Sequence, residues 1–212
     1  MATFGISSLT RKSKQSLNNS NIIREEKIYM KQWDLMNHTF KFRVGDSEEK
    51  GGCTFIGGEW KDVTTDDLFK DKRVVMLSLP CAFTPTCSTY QLPNFEKLYP
   101  DFTKHGVDEI YCLSVNDSFV MNCWARDNEL KNVKMIPDGN AQFTYKMNML
   151  VNKNNLGFGA RSWRYAAHTK GMDVVEQFVE QGWTHNAEDD PYEESDPYNI
   201  LAYFNQQQPI FD

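Results

Sequence analysis

The stretch Arg73-Val74-Val75-Met76-Leu77-Ser78-Leu79-Pro80-Cys81-Ala82-Phe83-Thr84-Pro85-Thr86-Cys87-Ser88 decides how the chain is read. Its first seven residues form an apolar run between Lys72 and Pro80. Such a run suits a central strand covered on both faces. Thr84 then makes a good helix N-cap, and Pro85 suits the first helical position. Counting on, Cys87 falls at the third position, inside the first turn. Free backbone N–H groups and the positive end of the helix dipole point there. That environment favours a thiolate and lowers a cysteine pKa from its usual value of about 8.5. The thiolate is the form that attacks. Free cysteines more often simply pack in a core, so position, rather than residue type, singles out Cys87.

Outward from this turn, strands and helices alternate. Phe95, Leu98, Tyr99 and Phe102 fall at i, i+3, i+4 and i+7, which predicts a helix from Pro85 to His105 closed by Gly106. Pro93 is expected to kink it, because proline lacks a donor and its ring crowds the preceding turn. Ile110–Val115 reads as a second buried strand. Asn116, Asp117 and Ser118 offer caps for a helix through Phe119, Val120 and Trp124. Val133–Ile136 is a third strand, ended by the Pro137-Asp138-Gly139 turn. Phe143, Met147 and Leu150 have helical spacing. Trp163–His168 and Val174–Glu180 pair as a hairpin around Lys170–Gly171, and Ile200, Leu201 and Phe204 mark a short amphipathic helix. On the N-terminal side, Thr39–Val44 alternates like a strand, and Gly51–Gly52 turns toward an apolar segment at Phe55 and Ile56. The pattern is that of an α/β sandwich with a mixed sheet.

Composition sets the limits. The 212 residues are 40% hydrophobic and 25% charged, enough for a packed core and against wholesale disorder. The net charge of −6 argues against a dedicated nucleic-acid binder. No run approaches the ~18 apolar residues of a membrane span, so a soluble protein is expected. The five cysteines form neither CxxC pairs nor a His/Cys cluster, which disfavours a disulfide scaffold or a zinc ribbon. A reducing, cytoplasmic setting with one or two working thiols fits better. Residues 1–50 hold 9 Lys/Arg and 6 Asp/Glu, so the other 162 carry −9. Residues 1–31 read as an N-terminal extension, either a disordered or mis-assigned one with Met30 as another start, or a transit-type leader. Residues 32–212 read as one domain.

Leu79-Pro80-Cys81-Ala82-Phe83-Thr84-Pro85-Thr86-Cys87-Ser88 resembles the P-G-A-F-T-P-x-C-S motif of the type II, peroxiredoxin-5-like peroxiredoxins. Gly106 to Asp117 (GVDEIYCLSVND) and Arg161 to Ala166 (RSWRYA) resemble two further blocks of that group, in the same order. The resemblance implies a thioredoxin-like fold with a mixed central sheet, flanking helices and an N-terminal β-hairpin. It implies reduction of hydrogen peroxide and organic hydroperoxides without a bound cofactor or metal. Carried over, Cys87 is the peroxidatic cysteine, oxidised to a sulfenic acid. Thr84 binds thiolate and peroxide through its hydroxyl, Pro80 shields the site, and Arg164 holds the thiolate and polarises the peroxide. Alternation along the predicted strand turns Arg164 away from Trp163 and Tyr165. Arg161 is a weaker candidate for a second arginine.

Cys81 stands where the family has glycine. It is either accommodated, a narrowing of the pocket, or a second reactive thiol. Cys112 matches the resolving cysteine of plant-like members, yet IYCLSV also reads as a buried strand. The Asp190-Pro191-Tyr192-Glu193-Glu194-Ser195-Asp196 segment resembles the tail of relatives that use one cysteine with glutathione and glutaredoxin. That donor is favoured over thioredoxin acting through a Cys87–Cys112 disulfide. Cys53 and Cys123 read as structural or incidental. A homodimer is expected, with exposed aromatics at its interface. Two other functions stay open: a peroxide sensor passing oxidation to a partner protein, and a catalytically dead binding module.

Overall fold

A computed structural model describes Leu35, residues 37–45 and residues 57–207. The extension at 1–31, Cys53, and the predicted Gly51–Gly52 turn with Phe55 and Ile56 lie outside the described residues. Thr39–Val44 forms β1 and pairs antiparallel with β2, Glu59–Thr64. β2 is largely exposed and polar (EWKDVT), so it carries no apolar signal to predict it. Thr64 then caps the short α1, Thr65–Phe69, in a reciprocal box with Asp67.

The central sheet is built on β3, Arg73–Leu79. With β4 (Glu109–Ser114), β5 (Lys134–Pro137), β8 (Tyr165–Lys170) and β9 (Asp173–Val179) it orders as β5-β4-β3-β8-β9. The β3–β4 and β4–β5 pairs are parallel; β3–β8 and β8–β9 are antiparallel. The sheet is therefore mixed, as expected. β6 (Leu150–Asn152) and β7 (Ala160–Ser162) form a separate small ladder.

Period-two alternation splits the apolar runs between two cores. Val75, Leu77, Leu79, Ile110 and Cys112 face one side, under α2 (Leu92–Lys104), α3 (Ser118–Asp127) and α5 (Pro197–Gln206). Val74, Met76, Tyr111 and Leu113 face the other, with Phe40, Phe69 and Phe143. Phe143 belongs to α4, Gln142–Lys146. The predicted helical spacing ends there, since Leu150 opens β6 instead.

The long helix differs from expectation at one place. It starts at Pro85, but Cys87–Gln91 is a π-turn, closed by the Leu92 N–H donating to the Cys87 carbonyl. Pro93 then takes the second position of α2, where a missing donor costs little. The wide turn is how the chain accommodates the ring that a regular α-helix would crowd. At the far end His105 and Gly106, the latter at φ +75°, close α2 as expected.

Candidate active site

The strand-to-helix turn is fastened at both ends. The Ala82 N–H donates to Asn116 Oδ1 at 3.0 Å, and Ser114 Oγ donates to the same oxygen at 2.8 Å. This ties the loop to the end of β4. The Thr84 hydroxyl donates to the Cys81 carbonyl at 2.8 Å, and the Thr84 carbonyl accepts the Ser88 N–H at 2.9 Å. Thr84 thus stands at the helix start, but its hydroxyl closes the loop instead of capping a free N–H. Cys81 is not among the residues with positive φ; Phe83, at +61°, takes the left-handed position. A side chain in place of glycine therefore needs no unusual backbone at residue 81.

Pro80 and Cys87 are buried, Thr84 and Cys81 half-buried. Arg164 precedes β8, a correction to the strand predicted from Trp163. The alternation still holds: Trp163 and Tyr165 enter the second core, and Arg164 points to the opposite side. Its side chain is 1% exposed, and Nη1 lies 3.4 Å from Cys87 Sγ. Nη1 also donates to Gln91 Oε1, and Nη2 pairs with the Asp190 carboxylate. Burial works to lower the Arg164 pKa, yet the Cys87 sulfur and Asp190 outweigh it and hold the group above its ordinary value. It is a permanent cation within reach of the sulfur.

Gln91, Asp190, Ser195 and Glu180 join the candidate site in the structure; the sequence pointed to neither Gln91 nor Glu180, and it offered Asp190 and Ser195 only as part of a tail motif, without a place beside Cys87. Gln91 follows Cys87 by four positions, which on a helix means the same face; that signal was available. Its Nε2 donates to Ser195 Oγ at 3.3 Å. The buried Glu180 carboxylate accepts the N–H groups of Glu193, Glu194 and Ser195, and the Ser195 hydroxyl at 2.6 Å. It pins the acidic loop against the site.

The other candidates fall differently. Arg161 lies half-buried on β7, its Nη1 donating to the Ala160 carbonyl at 2.7 Å. Cys112 sits mid-strand in the same core cluster as Cys87, fully buried. Burial, and then the nearby Cys87 sulfur, push its thiol well above the usual cysteine range. Cys81, Cys87 and Cys112 are free thiols, whereas Cys123 is disulfide-bonded and so stands outside the reacting set. His105 stacks on Phe204 at the other end of α2, away from Cys87. Among the described residues no group of three His, Cys, Asp or Glu could hold a metal ion.

Residues 52–194 match the family model described as Redoxin. A protein named peroxiredoxin from Rhizobium etli is 56% identical over 163 residues, covering 77% of this chain and 89% of its own. The chain belongs to the peroxiredoxins. A solved Plasmodium falciparum antioxidant protein, titled a 1-Cys peroxiredoxin, superposes with TM-score 0.75 at 33% identity, covering 82% of this chain and 99% of its own. Reduced Prx3 of Vibrio vulnificus in complex with hydrogen peroxide superposes with TM-score 0.68 at 31% identity, covering 82% and 94%. Type II peroxiredoxins are among the relatives. The peroxiredoxin fold is thioredoxin-like, and the mixed sheet with its N-terminal hairpin conforms to it. A peroxiredoxin is a thiol peroxidase and needs no bound cofactor; no helix among the described residues is long and apolar enough to cross a membrane.

Proposed function

We propose that Cys87 reduces hydrogen peroxide and organic hydroperoxides in a one-cysteine cycle recycled by glutathione with a glutaredoxin. The contact between Arg164 Nη1 and Cys87 Sγ, 3.4 Å in a closed site, carries the reading. The Cys87 thiolate attacks one peroxide oxygen. An S–O bond forms, the O–O bond breaks, and the departing oxygen leaves with the electron pair to be protonated to water or alcohol. Sulfur is oxidised to a sulfenic acid and the peroxide is reduced. Negative charge moves from sulfur to the leaving oxygen, and a fixed guanidinium can follow it with donors on one plane. The Thr84 hydroxyl, its proton committed to the Cys81 carbonyl, presents lone pairs that can accept the peroxide proton. Pro80, buried at the end of β3, keeps water from the sulfur.

The one-cysteine reading is supported by Cys112. A thiol held protonated in the middle of β4 is a poor nucleophile. The Plasmodium relative's description as a 1-Cys peroxiredoxin agrees. A separate thiol then attacks the sulfenic acid, expelling water; glutathione forms a mixed disulfide that glutaredoxin reduces. We also propose a homodimer.

Intact mass after one equivalent of hydrogen peroxide tests this, using wild type and Cys112→Ser with and without glutathione. One added oxygen in both proteins, converted by glutathione to its adduct, is expected. A loss of two hydrogens in the wild type, absent in Cys112→Ser, would replace the proposal with a Cys87–Cys112 disulfide and a thioredoxin-type donor.

A further inference from the structure

We infer that Asp190 is the positioning carboxylate that fixes Arg164 in line with Cys87 for the peroxide step. The inference rests on the peroxidase reading of Cys87 and Arg164. The guanidinium is a planar fork, so its orientation is set by what occupies its donors. Nη1 is divided between Cys87 Sγ and Gln91 Oε1, and Nη2 is taken by Asp190, while Nε has no partner among the described residues. Gln91 is neutral. Asp190 is thus the anion that holds the fork on the side away from sulfur.

Its placement is reinforced from two directions. The loop carrying it is clamped by Glu180, and Ser195 returns to Gln91. Contacts therefore run from Arg164 through Asp190, along the loop to Ser195, and through Gln91 back to Arg164. A second buried cation, Lys153, lies with Nζ 5.1 Å from the Trp163 ring centre. Asp190 attracts it and Arg164 repels it. One carboxylate therefore balances two cations that would otherwise push apart, and a buried cation left unbalanced is costly. Asp190 moves no proton in the peroxide step; its effect is on where the Nη1 donor stands.

The test uses stopped-flow oxidation of the reduced full chain by hydrogen peroxide. Asp190→Asn keeps the size and removes the charge; Asp190→Ser is a second variant held to the same outcome if the first does not fold. Each is expected to slow Cys87 oxidation by about 10- to 100-fold, the usual cost of misplacing a catalytic group by about 1 Å. Asp190→Glu should recover part of the rate. Asp189→Asn, the same charge loss one residue away, should oxidise at the wild-type rate. Reduction of the oxidised proteins by dithiothreitol should be unchanged, which a merely loosened fold would not give. A wild-type oxidation rate in the Asp190 variants, or an equal loss in Asp189→Asn, overturns the inference. If wild-type Cys87 itself does not react, the peroxidase reading fails instead.

Discussion

In the proposed cycle Arg164 concentrates most of the chemistry in one side chain. It is buried, permanently charged and shared among a thiol, an amide and a carboxylate. Lysine cannot replace that fork, because an ammonium is a point donor without a fixed plane. Arg164→Lys is expected to lower the rate of Cys87 oxidation by about 10²–10³, the range for losing one aligned donor to a developing anion. Competition kinetics against a second peroxidase measures this, and a loss under tenfold would show that charge alone suffices. Cys81 poses the opposite case. Its backbone avoids the left-handed region, so restoring glycine relieves no strain there. Cys81→Gly is expected to leave the peroxide rate unchanged and to destabilise by about 0.5–1 kcal/mol through added chain entropy, read by urea unfolding. Cys87, Thr84, Pro80 and Arg164 could be proposed from the sequence because motif and local pattern coincide, and the structure brings Arg164 and Cys87 together. The contacts of Asp190 and Glu180 were not legible there, because they form only when the 190–195 loop folds back against Arg164 and the end of β9, and neither residue has a periodicity to betray it.

At the level of elements, the acidic loop and β8 show how burial is balanced. Glu180 is a buried carboxylate whose donors are backbone N–H groups and one hydroxyl. Glu180→Gln turns an amide donor toward some of those N–H groups. It should cost about 1–3 kcal/mol in unmet donors and speed hydrogen exchange at Glu193, Glu194 and Ser195; protection equal to wild type would refute the clamp. His168 on β8 is the second case. Fully buried, it accepts from Arg73 Nε at 2.9 Å, and burial, then Arg73 and Lys170, lower its pKa to about 4. The folded chain therefore binds this proton less readily than the unfolded chain, whose histidine titrates near 6.5. Stability is full above that value and falls as pH drops from about 6.5 toward 4, by up to about 3 kcal/mol. His168→Gln, which keeps an acceptor for Arg73, should lack this part of the acid sensitivity when unfolding is compared at pH 7 and pH 4.5. The strands themselves were legible from β-branched and apolar runs. The π-turn was not: it reconciles Pro93 with the packing of α2, a compromise that no local propensity records.

At the scale of the whole molecule, the two cores account for most large side chains, but a few aromatics remain outside. Trp60 is 56% exposed and Phe119 39%, and their rings meet edge-on with centroids 5.6 Å apart. The Arg43 guanidinium lies 5.6 Å from the first ring and 5.9 Å from the second. Aromatics joined to arginine, with apolar faces in water, have the composition favoured at protein interfaces. This pair joins β2 to α3, two elements far apart in sequence, so a surface that binds there would brace the hairpin against the helix. If it is the dimer contact proposed above, light scattering of the wild type should give about twice the 24.6 kDa chain mass. Trp60→Ala with Phe119→Ala should shift the population to monomer at micromolar concentration. Because Cys87 lies in a separate turn fastened through Asn116, the monomer should keep the wild-type rate of Cys87 oxidation. A double variant that remains dimeric would place the interface elsewhere, and a monomer with a much slower Cys87 would mean that the partner subunit supports the turn.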